Sequence, residues 1–591
     1  MRTRCFFAAA CIAVAVSASC YGQTAAAAGI PHLRKQGSAT QLIVDGKPFL
    51  AVTGELGNNS ASSLEYMNPI WSKLESGNLN CILAAVEWAQ MEPTEGKYDF
   101  ALVDGLVKQA QEHHLKLVFL WFASWKNGLS SYVPYWVKAD YKRFPRIQIK
   151  GGKTIELLST LGDATRDADA RAFRALMQHL KLTDVRRTVV TIQVENEVGV
   201  LRDSRDRSPA ANKAFAGPVP KELMDYLEKH KDTLAPELRE VWAANGMKAA
   251  GTWEEVFGPG KPDSVDMPIQ TNSPPMTREE HDTAWRQLRW PVDEFFMAWN
   301  YARYLNKVVT EGKAEYAIPM YVNGWLQQPN MAWPGTYPSG GPLPQVHDIW
   351  RAGAPSVDVL APDLYLESFD EVCARFTRNG NPLFIPETSA NPVNAINAFV
   401  KWNAIAYSPF YIERNVAPDS DLAAAYHRIT SLAPAIGAQQ GKGRMTALRI
   451  NRGDPPVKAS LGEYTLTLTG LGAGRIPIAP EPAAAGQAGA PPAPVQGGRG
   501  QQQGNGKDIA IFIAAGPNEF YMSGGEGNVR VAFTPNTPGA PVVGLGDVEE
   551  GKFVDGKWVV IRHLGGDDTG QGELLTLRAN TLMRVTVYRY E

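Results

Sequence analysis

Cysteine and histidine are scarce in this chain, with 5 and 9 residues in 591. Cys5, Cys11 and Cys20 crowd the N-terminus. That leaves Cys81 and Cys373, too few for a disulfide framework and better suited to packed core thiols. The histidines form no HExxH and no paired metal-ligand spacing, and His113 and His114, adjacent on a helix, point apart. There is no GxSxG elbow and no phosphate-binding glycine loop; the "GLGAG" near residue 472 follows no βα context and reads as a turn. No cofactor and no metal are therefore expected. An excess of one charge is also missing: 59 Lys and Arg stand against 61 Asp and Glu, with no long basic run. Nothing in that balance asks for nucleic acid or an anionic membrane surface. No apolar run is long enough to span a bilayer; the stretch from Cys5 to Val16 is too short.

That short run, behind Arg2 and Arg4 and ahead of small residues, reads as an export signal over residues 1–28, with cleavage expected within residues 20–28. Lipid attachment at Cys20 is the alternative, although "VSASC" is a poor lipoprotein box. The mature chain is expected outside the cytoplasm, in the periplasm or beyond. Between residues 45 and 440, eight short apolar runs alternate with helical patterns: "FLAVTG" (49–54), "NCILAAV" (80–86), "LKLVFLW" (115–121), "TVVTIQV" (188–194), "AIPMYV" (317–322), "VDVLA" (357–361), "PLFIP" (382–386) and "AIAYS" (404–408). Repeated βα units of this number predict an α/β fold, a (β/α)8 TIM barrel over residues 29–441, with a doubly wound open sheet as the competitor. The long segment from about 200 to 290, after the fourth run, is expected to wall the barrel mouth. Residues 442–591 change to short strands with Gly, Pro, Asn and Asp turns, predicting a C-terminal all-β sandwich. A Pro-, Ala-, Gly- and Gln-rich loop near 479–508 interrupts it, and its composition predicts disorder.

In such a barrel the carboxyl ends of the strands line one face. Those ends hold Glu55 and Asn58; Glu87 and Trp88; Ser124 and Trp125; Glu195, Asn196 and Glu197; Asn323 and Trp325; Asp363 and Tyr365; Glu387; and Tyr407. Carboxylates at the ends of strands four and seven face each other across the mouth. Double-displacement glycoside hydrolysis needs such a pair, one acid to protonate the leaving oxygen and one nucleophile. Indole and phenol faces suit stacking on a sugar ring, and amides and carboxylates suit its hydroxyls. Each residue also has a plainer role open to it, an acid as helix cap or ion-pair partner and a tryptophan as core filler. Along an extended strand Gln193, Glu195 and Glu197 share a face, which puts Glu195 one layer deeper, in support.

"QVENEVG" (193–199) resembles the acid/base motif of glycoside hydrolase family 35, chiefly β-galactosidases. "LNCILAAVEWAQMEPTEGKYDF" (79–100) is similar to that family's second-strand signature, and "FIPETSA" (384–390) places Glu387 where the strand-seven nucleophile stands. The resemblance implies that Asn196 binds the 2-hydroxyl, that Glu197 is the acid/base and that Glu387 is the nucleophile. Glu55, Asn58, Glu87, Trp88, Trp125, Asn323, Trp325 and Tyr365 are the expected substrate contacts. The chain departs from the family where Ser124-Trp125 replaces Glu-Trp and Gly57-Asn58 replaces His-Tyr. The expectation is an exported retaining exo-β-galactosidase acting on plant-derived oligo- or polysaccharides. A same-clan β-mannosidase or β-glucosidase, and a non-catalytic sugar-binding protein on a hydrolase barrel, are the alternatives.

Overall fold

The computed structural model describes residues 29–268, 288–328, 331, 333–450, 453–472, 509–525 and 527–591; the expected export signal and the loop near 479–508 lie outside them. Eight parallel strands follow one another around a ring: β1 (Ala51–Val52), β2 (Cys81–Glu87), β3 (Lys116–Lys126), β4 (Val189–Asn196), β5 (Met320–Trp325), β6 (Val359–Leu364), β7 (Phe384–Thr388) and β8 (Ala406–Pro409). β1 and β2 close it, with Leu83 N–H donating to Gly54 O at 3.0 Å and Leu56 N–H to Leu83 O at 3.1 Å. Closure rules out the open doubly wound sheet.

All eight apolar runs become these strands, and most strands continue two or more residues past the run. Apolarity marks the part of a strand covered by helices, whereas ladder bonding continues into the polar mouth. The offset is largest at β3, which runs on through Trp125 to Lys126. Leu83, Val118, Leu120, Tyr321, Ala361 and Phe384 fill the lumen. Leu42 and Val44 join that cluster from an N-terminal antiparallel hairpin (His32–Gln36 with Ala39–Val44). Outside β3 and β4 lie α1 (Asp163–Thr183) and α2 (Pro291–Glu315). α1 buries Phe173, Leu176, Met177 and Leu180 at helical spacing.

The segment after β4 only partly fits its expected place. Its first residues do sit among mouth loops, with Val200 paired to Ser339 and Lys150 N–H donating to Asp203 Oδ2 at 2.8 Å. Its helices Lys221–Lys229 and Pro236–Ala244 instead descend the barrel wall, where Arg378, just ahead of β7, donates to Thr233 O and to Asp348 Oδ2. Their apolar stripes, Leu223, Met224 and Leu227 on the first and Leu238 and Trp242 on the second, need a wall to cover. Among the described residues no helix is long and apolar enough to cross a membrane.

From Met445 onward two antiparallel sheets, of six and four strands, face one another over Leu466, Phe512, Phe520, Val531 and Val585. Strand Ile509–Ala514 is buried on both sides: Ala510 and Phe512 face the sandwich core, while Ile509, Ile511 and Ile513 join the barrel's helix layer. Opposite them α3 (Asp421–Gln439) sends in Arg428, which donates to Ser523 Oγ at 3.0 Å and to Ile509 O at 2.6 Å. Replacing Arg428 with Ala should strip these buried acceptors and leave a cavity, costing about 2–4 kcal/mol. Urea unfolding should show the loss, and an unchanged midpoint would mean the seam does not depend on this side chain.

Candidate active site

β6 and β7 pair in register with Asp363 directly opposite Glu387. A register shift at the end of β7 re-aims the backbone around Glu387, as bulges beside active sites do. From β4, Glu197 completes a trio: carboxyl oxygens of Glu197, Asp363 and Glu387 lie within 4.8 Å of one another. Asn323 of β5 ties the trio together, its Oδ1 accepting from Glu197 N–H at 3.1 Å and its Nδ2 donating to Asp363 Oδ2 at 2.8 Å. Tyr365 O–H donates to Glu387 Oε1 at 2.7 Å. Burial, and then the charge of Glu387, pushes the Glu197 carboxyl up to about 7. Burial also drives Asp363 and Glu55 far above the usual carboxylate range. At such spacing two negative charges repel by on the order of 3 kcal/mol at an effective dielectric constant near 20, so the cluster retains protons. The trio is close enough to share a proton, and three carboxylates at this spacing are also a donor set that a hard cation accepts.

Glu195 does not lie one layer below Glu197. Glu195 (φ 61°) and Glu197 (φ 46°) both take left-handed backbone, which breaks the strand's alternation on either side of Asn196. For non-glycine residues that costs about 1–3 kcal/mol each and persists only where surroundings enforce it. The Glu195 carboxyl turns to the N–H groups of Ser124 (3.0 Å) and Trp125 (2.6 Å). It meets Asp169 of α1, whose oxygens accept from Trp121 Nε1 at 2.9 Å and Ser124 Oγ at 2.6 Å. Both carboxyls are raised, Glu195 by burial first and then by Asp169, so the pair keeps a proton between them. Its effect is to clamp the end of β3.

The remaining expected residues divide into two sets. Glu55 reaches the cluster's margin; Glu55 and Asn58 each have a buried side-chain oxygen that has no partner. Glu55 feels Glu387, Lys126 and Glu197. Asn196 Oδ1 accepts from Lys126 Nζ at 2.9 Å, which fixes the amide and leaves Nδ2 as an unpartnered buried donor. Trp325 is half-buried level with Asp363, and Tyr365 is exposed at the rim. Glu87 is half-buried beside Lys138 and Tyr132, at the edge. Trp88 and Trp125 are corrections: both are wholly enclosed and offer no face to a sugar. Trp88 donates to Glu92 and packs edge-on to Trp136, while Trp125 donates to Leu158 O and packs on Tyr301 and Tyr304. Tyr407 is likewise buried, bonded to Ser389 O. Three residues escaped the strand-end reading as site members: Asp363, seen only as a strand end; Asp169, on a helix; and Lys126, hidden by the early end assigned to β3. The signal for Lys126 was present in "SWKNG", where a lysine follows a buried run.

A closed barrel with carboxyl groups meeting at the ends of strands four and seven resembles the arrangement on which glycoside hydrolysis relies. Residues 70–273, which include β2 to β4 and Glu197, match the model of glycoside hydrolase family 42, described as β-galactosidase. The family that matches is thus 42, and the family 35 resemblance is corrected; an Asn-Glu pair after strand four recurs through the clan and does not separate the two. Residues 422–576 match a domain of unknown function, DUF5597. No curated protein matches the chain. Among solved structures, β-galactosidases from Rahnella sp. R3 and Bacillus circulans sp. alkalophilus are each 14% identical with TM-scores of 0.41, covering 66% and 65% of this chain and 58% and 56% of theirs. The catalytic domain of a β-amylase from Paenibacillus polymyxa is 12% identical, covers 65% of this chain and 97% of its own, and has a TM-score of 0.39. The chain therefore spans less than two thirds of the two β-galactosidases.

Replacing Glu195 with Gln should cost stability rather than chemistry. Both its oxygens accept backbone N–H groups, so an amide leaves one donor facing another, at about 1–3 kcal/mol. Turnover should fall modestly and equally for good and poor leaving groups; a leaving-group dependence at this position would relocate the acid.

Proposed function

We propose that the protein is an exported retaining exo-β-galactosidase that releases terminal β-galactosyl residues from plant-derived oligo- or polysaccharides. The observation that carries the reading is the acid pair: Glu197 and Glu387 oxygens within 4.8 Å. That gap, taken between single oxygens, sits nearer the carboxyl spacing of about 5–5.5 Å in double displacement than the spacing of about 6.5–9.5 Å that an inverting enzyme leaves for its water. Glu197 is buried, so a chain end reaches it more readily than a chain interior, which supports exo action. The sugar identity is supported by the description of the matching family, and export by the N-terminal sequence.

In this mechanism Glu197 gives its proton to the glycosidic oxygen while Glu387 bonds to the anomeric carbon and the aglycone leaves. Tyr365 holds one oxygen of Glu387. Water then loses a proton to Glu197 and displaces Glu387, restoring both acids with net retention. A β-mannosidase is the second reading, favoured by one observation: Lys126 bonds Asn196, the amide assigned to the 2-hydroxyl, where mannose and galactose differ in configuration. A panel of nitrophenyl glycosides separates the sugars, and product NMR separates retention from inversion. No turnover on any of them, with sugar still bound, would favour the binding-protein alternative.

Glu387→Gln should keep the fold and lose about 10⁴-fold or more in kcat, since an amide cannot form the ester. Glu197→Ala should slow poor leaving groups far more than nitrophenolates. Because Glu197 must be protonated and its carboxyl sits at about 7, kcat/KM should hold below that pH and fall as pH rises through it. A profile flat to pH well above this value would remove Glu197 from the acid role.

A further inference from the structure

Resting on the glycosidase reading above, we propose that Asp363 is a third, proton-bearing acid of the site, a positioning residue whose O–H donates to Glu197 and steadies the carboxylate left when Glu197 gives up its proton. Asp363 is buried at the end of β6, and its two oxygens have different company. Oδ2 accepts from Asn323 Nδ2 at 2.8 Å, whereas Oδ1 is buried and has no hydrogen-bond partner. The groups facing it are Glu197 from β4, Glu387 from β7, Glu55 from the end of β1, Tyr321 of β5 and Tyr365 of its own strand. Lys126 acts on Glu197 and Glu55, but its ammonium is held on Asn196 and Asn127.

A carboxylate oxygen can only accept, and every near acid is also an acceptor. A proton is what turns the Asp363–Glu197 contact into a bond. Burial and the neighbouring charges push Asp363 far up, in the direction that keeps this proton on it. As Glu197 O–H breaks and its proton joins the glycosidic oxygen, the new Glu197 anion receives the Asp363 O–H as a charge-assisted hydrogen bond. The Asp363 proton is not transferred. When water returns a proton to Glu197, the starting state is restored.

Asparagine and alanine at this position separate a donor from an anion. In Asp363→Asn the amide oxygen can still accept from Asn323 and the NH₂ can donate to Glu197, whereas Asp363→Ala supplies neither. The expected result is that Asp363→Asn loses less than about tenfold in kcat/KM and keeps the upper pH limb where the parent has it, while Asp363→Ala loses about 10²-fold or more on poor leaving groups. If Asp363 works as an anion, Asn should fall as far as Ala and the limb should move to lower pH, because a raising charge is gone; that outcome overturns the proposal. Infrared difference spectra at neutral pH read the proton without any substrate. The parent should carry one carboxylic-acid band more than Asp363→Asn, and equal bands overturn the assignment even if no glycoside is ever turned over. Inactivity of the parent on every glycoside, by contrast, counts against the glycosidase reading alone.

Discussion

The constraint on which the site depends is charge crowding. Glu55, Glu197, Asp363 and Glu387 converge from the ends of four strands, with the Lys126 cation set against Glu55 and Glu197. Burial and the neighbouring charges push Glu55, Glu197 and Asp363 towards their protonated forms. The barrel therefore holds reserve protons at neutral pH, and this is what an acid catalyst needs. The groups around the cluster are those that make such crowding tolerable: Asn323 bridging two acids, Tyr365 donating to a third, Lys126 fixing Asn196. Each gives a carboxyl or amide one orientation, and Glu55 Oε1, Asp363 Oδ1 and Asn196 Nδ2 are left buried without a hydrogen-bond partner of their own.

A second pair of acids, Glu195 and Asp169, obeys the same rule on the other side of the β-strands. It keeps a proton and uses its remaining lone pairs on Ser124, Trp125 and Trp121. The left-handed turns at Glu195 and Glu197 send two neighbouring glutamates in opposite directions. One strand end thereby serves the scaffold through Glu195 and, in the function proposed, the chemistry through Glu197. The strain is held in place by the bonds that Glu195 makes behind the strand and that Glu197 N–H makes to Asn323.

The eight strands were legible because burial between helices writes a continuous apolar run, and the acid pair because a barrel puts strand ends on one face. What the runs could not convey was direction. Period-two reasoning assigns Glu195 to the lumen, and only backbone dihedrals reveal the reversal. Trp88 and Trp125 look like stacking platforms at strand ends but sit one step behind the wall, since a tryptophan beside a mouth has the same letters whether its ring points in or out. Lys126 and Asp169 were missed for related reasons: β3 outlasts its apolar run, and a helix residue reaches a strand end only through tertiary packing. The N-terminal hairpin that plugs the lumen with Leu42 and Val44 carries no signal connecting it to the strands it covers.

The C-terminal sandwich bears on the same site through one helix. α3 is held on one side by Arg428, whose guanidinium bonds to Ser523 and Ile509, and by the apolar row Ile509, Ile511 and Ile513. On its other side Tyr426 O–H donates to Thr53 O at 2.7 Å and to Tyr407 O at 3.1 Å, joining β8 to the segment that leads from β1 into Glu55. β1 is the shortest barrel strand and closes the ring through a few bonds to β2. A two-residue strand has little ladder of its own to resist fraying. Through Tyr426 the helix adds side-chain hydrogen bonds to the backbone carbonyls of Thr53 and Tyr407, beside this short strand. The sandwich, by anchoring that helix, stiffens the closure that sets where Glu55 stands among the acids.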